Sequence, residues 1–139
     1  KNQGTAGWSA VASVTFNRIR DNRFPNTVCE VVKQGPTRES WKTRLLDLPD
    51  EERKYYPIRH RCQFSWYCDG KSDDIPSFDG KLFELMYDYA ELYLRPDIIL
   101  IDITDGATHY HADYVFPEWR KSKTKTVEIG DHIFYRWEK

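Results

Sequence analysis

Up to the Arg95-Pro96 pair, the apolar residues of this chain recur three and four apart; beyond it they alternate loosely. A period near 3.6 belongs to helices and a period of two to strands, so helices come first and a small sheet last. Residues 5–20 form the first helical stretch, with Trp8, Val11, Ala12, Thr15, Phe16 and Ile19 predicted on one core-facing stripe. Asn22 and the Phe24-Pro25 pair stop it, because the residue before a proline is driven out of helical geometry. Asn26-Thr27 caps a short second helix reaching Gln34, with Val28, Val31 and Val32 inward, and Gly35-Pro36 closes that unit. Residues 80–94 are the most regular helix, with Leu82, Leu85, Met86, Tyr89, Leu92 and Tyr93 on one face. Beyond Pro96, residues 108–116 read as a strand and 126–137 as a hairpin turning at Gly130-Asp131. The expected class is therefore α+β.

The intervening segments are polar. Residues 35–61 read as a surface insertion holding a helical turn near 41–46, and residues 70–80 as a loop in which Asp79 caps the helix that follows. At 139 residues the chain is expected to be one domain spanning 1–139, able to bury roughly 65–70% of its unfolded surface. Its formal net charge of -1 supplies no field that would favour nucleic acid or an anionic membrane. No apolar run approaches the roughly 18 residues of a membrane span, and no signal-peptide pattern is present. Cys29, Cys62 and Cys68 make no CxxC pair; Cys62 and Cys68 could bridge a short loop, but spacing alone does not establish it, and free thiols in a reducing compartment are the favoured reading.

Chemistry concentrates late in the chain. Three of the four histidines, His109, His111 and His132, fall beside aromatics and hydroxyls in its last third. His109 and His111 share a strand face, and His132 would complete a three-histidine zinc site of a peptidase or amidase if the hairpin folded back. Cys62 or Ser65 could instead act as a nucleophile with His109 or His132, oriented by Asp113 or Asp131, although no nucleophile elbow is present. A third reading is a sugar groove, which needs rings to stack on and short polar groups for hydroxyls. Gln63, Ser65, Thr108, Tyr110, Trp119 and Tyr135 meet those needs, and an aromatic content of 15% favours it.

Five pieces in order carry a family resemblance. They are Gly7-Trp8-Ser9-Ala10-Val11 through Asn17-Arg18; Phe24-Pro25-Asn26-Thr27-Val28; Gln63-Phe64-Ser65; Ala107-Thr108-His109-Tyr110-His111 with Pro117-Glu118-Trp119; and Ile129-Gly130-Asp131-His132-Ile133-Phe134-Tyr135. Together they resemble the SleB-type cell-wall hydrolases, which include spore-cortex-lytic enzymes, and the Gln63–Gly70 version is most similar to the proteobacterial and phage branch, where endolysins of bacteriophages are found. The resemblance implies a small lysozyme-like α+β domain acting on the bacterial cell wall. The implied activity is that of a lytic transglycosylase, cutting peptidoglycan between N-acetylmuramic acid and N-acetylglucosamine with one glutamate as acid and then base, without cofactor or metal.

That glutamate opens a Glu-Ala-x-x-Glu motif in the family. Here Lys1-Asn2-Gln3 occupy its last three positions, so the resemblance puts the acid two residues before Lys1, and the domain is expected to be truncated at its N-terminus. The same resemblance assigns Asn17 and Arg18 to anchoring the first helix. Gln63, Phe64, Ser65, Thr108, His109, Tyr110, His111, Trp119, His132 and Tyr135 are the expected glycan contacts of a monomer. A glycan-binding module without catalysis is the alternative.

Overall fold

In the computed structural model, residues 4–74 and 80–138 are described. The described residues up to Val28 and from Gly80 onward form one compact unit, and those from Cys29 to Asp74 form another. The expected cap Asp79 lies outside the described residues, as do Lys1, Asn2 and Gln3.

The first unit begins with α1 (Gly4–Ile19), against which α4 (Gly80–Leu94) packs. Small residues sit deepest on α1: Gly7, Ala10 and Val14 are buried, with Arg18 one turn further on. The predicted stripe is thus rotated. Trp8 and Phe16 flank the buried line rather than occupy it, because small side chains let a helix approach its neighbours closely while large ones fill the sides. Trp8 meets Tyr89 edge-on at 6.1 Å, and Phe16 stacks on Tyr93 at 6.0 Å. The Tyr93 hydroxyl donates to the Ser9 carbonyl at 3.3 Å. On α4, Leu82, Met86, Tyr89 and Tyr93 turn inward, whereas Leu85 and Leu92 are exposed. A single helix in contact on one side buries a narrower face than the six residues proposed.

The sheet of this unit has order β3-β5-β4, from β3 (His109–Ala112), β4 (Thr124–Ile129) and β5 (His132–Arg136), all antiparallel. The β4–β5 hairpin turns at Gly130, whose φ of 57° lies in the left-handed region that glycine enters without strain. Mixed helix and sheet, helices leading, is the α+β class read from the sequence. Phe134 is fully buried on β5, which contributes roughly 2–3 kcal/mol of apolar transfer.

The second unit contains α2 (Val28–Lys33) from Cys29 on, with Val31 buried, and an antiparallel pair of β1 (Thr37–Glu39) and β2 (Tyr55–Pro57). α3 (Trp41–Leu45), capped by Ser40, is the helical turn expected in the insertion. The strand pair was not foreseen, since three-residue strands are too short to display a period. The free-thiol reading is corrected for two of the three cysteines: Cys62 and Cys68 form a disulfide, while Cys29 is free and exposed. A short 3-10 turn over Ser65–Cys68 folds the chain back, leaving the two Cα atoms 6.1 Å apart, within bridging distance.

Candidate functional site

The first unit's site begins with the anchoring of α1. Asn17 Nδ2 donates to Asp102 Oδ2 at 2.8 Å and to the Ala107 carbonyl at 3.1 Å. Arg18 Nε donates to the Thr108 carbonyl at 2.6 Å. Asp102 also accepts from Thr104 N, Thr104 Oγ1 and Gly106 N, at 2.6–2.8 Å. Burial alone would raise the Asp102 carboxyl, but the hydrogen bonds from Thr104, Asn17 and Gly106 outweigh it and hold the group below its ordinary range. Asn17 and Arg18 thus tie the helix end to the 102–108 loop, the anchoring that the resemblance implied, and that loop leads directly into β3.

Strand alternation then sorts the candidate residues. His109 pairs with Tyr135 and His111 with Ile133, while Tyr110 pairs with Phe134 and Ala112 with His132. One face therefore carries His109, His111 and Tyr135; the other carries Tyr110, His132 and Phe134. On the second face Tyr110 stacks on Phe134 at 5.6 Å and meets His132 at 5.2 Å. His132 consequently lies across the sheet from His109 and His111, so the three imidazoles of the zinc reading do not converge. Among the described residues no three His, Cys, Asp or Glu side chains are grouped to hold a metal ion. Cys62 is withdrawn from the nucleophile reading by its disulfide.

The first face is an aromatic wall. Trp119, from the 3-10 turn Glu118–Ser122, lies 5.2 Å from His109 and 5.6 Å from both His111 and Tyr135. His109 in turn meets Phe24 at 5.9 Å and Trp137 at 5.8 Å, and Phe24 meets Trp137 at 6.1 Å. Cations pack on these rings: Arg18 over Phe24 at 5.0 Å, with Arg23 and Lys123 each 4.4 Å from the Trp137 ring centre. Phe24, Trp137, Arg23 and Lys123 were not among the predicted contacts. Trp137 falls on this face because it is two residues beyond Tyr135, a period-two signal the sequence offers; Phe24 was read as a helix stop and as part of a family motif, not as a contact.

Both histidines of the wall are held in place by hydrogen bonds. Burial pushes His109 down to about 3, reinforced by Arg18, Lys123 and Arg23, and its Nδ1 bonds Thr108 Oγ1 at 2.9 Å. His111 Nδ1 donates to the Ala112 carbonyl at 2.8 Å, and its Nε2 lies 3.1 Å from the Tyr135 hydroxyl, which fixes the ring's orientation. His132 is also shifted down by burial, with Asp131 and Asp113 opposing. Asp97, Asp102 and Glu138 are carboxyls displaced downward, the reverse of what a general acid needs.

Gln63, Phe64 and Ser65 belong to the second unit. There Gln63 N donates to the Gln34 carbonyl at 2.9 Å, Phe64 is buried, and Gln63 and Ser65 are exposed on the loop closed by the disulfide.

The sequence model of the cell wall hydrolase family matches residues 2–135. No curated protein matches the chain significantly. Among solved structures, the chain is similar to the catalytic domain of the germination-specific lytic transglycosylase SleB from Bacillus anthracis. That likeness has 22% identity, a TM-score of 0.55, and coverage of 98% of this chain and 83% of that one. It is also similar to the catalytic domain of the Bacillus cereus SleB protein, at 23% identity and a TM-score of 0.53, covering 98% of this chain and 79% of that one. These likenesses share the fold, and with the family match across nearly the whole sequence they lead to one conclusion: the chain belongs to the cell wall hydrolase family.

Proposed function

We propose that this chain is the glycan-engaging domain of a peptidoglycan lytic transglycosylase, cutting between N-acetylmuramic acid and N-acetylglucosamine. The observation that carries the reading is the family match over residues 2–135, and the likeness to the catalytic domain of a germination-specific lytic transglycosylase supports the reaction type. The aromatic wall of Phe24, His109, Trp119 and Trp137 supports glycan binding, since sugar rings stack on such faces. Thr108, Tyr135 and His111 lie with it, while Gln63 and Ser65 are proposed as glycan contacts on the second unit's own exposed loop, where buried Phe64 supports them instead of touching sugar. Tyr110 and His132 back the sheet from behind.

The reaction needs one carboxyl that gives a proton to the glycosidic oxygen and then takes one from the muramic C6 hydroxyl as the 1,6-anhydro ring closes. Its pKa must be raised, and the displaced carboxyls of the first unit are displaced the other way. We expect that acid just upstream of Lys1, because Lys1-Asn2-Gln3 align with the last three positions of the family's Glu-Ala-x-x-Glu motif, with Gln3 in place of its second Glu. We place the protein's work at the bacterial wall, as a monomer of bacterial or phage origin with an endolysin-like role.

The test is digestion of purified sacculi with the chain preceded by its native upstream residues. Muropeptides ending in 1,6-anhydromuramic acid are the expected products. Reducing muramic ends would replace transglycosylation by hydrolysis. Sacculus binding with no product would favour a non-catalytic glycan-binding module, a reading the downward-shifted carboxyls keep in play.

A further inference from the structure

A cleft of about 530 Å³ opens beside the aromatic wall, at the C-terminal end of α1, and no step above uses it. Asn17, Arg20, Arg23, Thr108, Arg136 and Trp137 are among its lining. Its walls are fixed by ion pairs. Arg23 donates from Nε and Nη2 to the Asp21 carboxylate, at 2.6–3.1 Å, and from Nη2 and Nη1 to the carbonyls of Trp137 and Glu138 at 2.8 and 3.1 Å. Every nitrogen of that guanidinium is engaged, so Arg23 is part of the frame.

The other two arginines are different. Arg136 uses Nη1 on the Asp105 carbonyl and carboxylate and Nε on Glu138, leaving Nη2 without a partner among the described residues. The Arg20 side chain is exposed and donates to no described residue, and its neighbour Asp21 is occupied by Arg23. Two guanidinium groups with spare N–H donors therefore line one cleft, and the planar fork of arginine is matched to a carboxylate. The lining carries three arginines, Arg20, Arg23 and Arg136, against two carboxylates, Asp21 and Glu138, the first held by Arg23 and the second by Arg136 Nε.

Resting on the glycan reading above, we propose that this cleft binds the free carboxylates of the peptide stem on the muramic residue, with Arg20 and Arg136 Nη2 as donors. The glycan strand of peptidoglycan is itself uncharged once the muramic lactyl group is amide-linked to its stem; the anionic charge sits on the peptide. Trp137 lines the cleft and meets His109 of the wall, so a glycan held at the wall has the cleft, with Arg20 and Arg136 in its lining, directly beside it. The chain then distinguishes stem-bearing glycan from bare glycan.

The competing explanation is that Arg20 merely balances the negative end of the α1 dipole. Calorimetric titration of the whole chain with N-acetylglucosaminyl-N-acetylmuramyl-tripeptide and with neutral chitotetraose separates the two, using wild type, Arg20→Glu and Arg20→Lys. Arg20→Glu should lose about tenfold in affinity for the tripeptide ligand and less than about twofold for chitotetraose. Arg20→Lys should recover part of the loss, and added salt should narrow the wild-type preference for the tripeptide ligand. Unchanged tripeptide binding, or equal loss on both ligands, would overturn the inference while leaving the glycan reading intact. Wild-type chain that binds neither ligand would sink the glycan reading and this inference with it.

Discussion

Asp102 shows what a single carboxylate does here. It gathers donors from α1 and from its own loop, and its depressed pKa ties that knot to pH. Above the unfolded-state value near 4 the carboxylate is ionised in both states and its native bonds contribute fully; as pH falls through the lower folded value, protonation removes that contribution. Asp102→Asn should cost about 1–2 kcal/mol at pH 7, and the difference from wild type should shrink toward pH 3 in urea titrations. His109 acts in a different window. Its folded pKa of about 3 lies below the unfolded 6.5, so below pH 6.5 the unfolded state binds a proton that the native state refuses. Stability from this residue is complete above 6.5 and declines down to about 3. His109→Gln should flatten the stability curve between those limits, and NMR of the wild type should find the imidazole neutral at pH 5. The anchoring role of Asn17 and Arg18 was legible in advance. Asp102 was not, because an aspartate in a loop looks solvated until the helix end that it receives is known.

At the level of elements, each helix was visible in the chain to within a residue or two, since Pro25, Pro96 and the three-and-four spacing mark ends and faces. Which face goes deepest was not visible on α1. Its buried line of Gly7, Ala10 and Val14 carries little hydrophobic signal, and the large residues that do carry it pack sideways onto α4. The β4–β5 hairpin was recoverable from Gly130-Asp131, whereas β1 and β2 are three residues each and lacked any signature. The 62–68 loop is the element most open to manipulation. Its disulfide joins cysteines six apart, and closing so short a loop stabilises by about 2 kcal/mol in the chain-entropy account. Reduction, or Cys62→Ser with Cys68→Ser, should speed hydrogen exchange across Gln63–Trp66. The amides of β3 and β5 report the separate response of the sheet; comparable acceleration there would contradict a local effect.

For the molecule as a whole, the α+β class followed from the change of period at Pro96, and family membership followed from short motifs scattered over the chain. The division of the candidate residues between two sheet faces did not. Sequence proximity placed Tyr110 with His109 and His111, but alternation separates neighbours, and only the pairing with β5 says which partners each side receives. The same division removes the three-histidine arrangement on which a zinc site would depend. Treatment with a chelator should accordingly leave both the urea midpoint and sacculus binding of the chain unchanged, and a loss of either would restore a metal.

β3 has one further consequence, concerning how such a protein can change over generations. Its odd positions, 109 and 111, belong to the aromatic wall, whereas Tyr110 stacks on Phe134 on the opposite face, so substitution at half-buried 109 can retune the wall while 110 keeps its own packing intact. Point mutation can therefore explore new ligands cheaply on this strand. A one-residue insertion or deletion within 109–112 cannot, because it would exchange the two roles at every later position of the strand. Length variation among descendants should instead collect in the exposed stretch 113–116, where an added residue leaves that parity untouched.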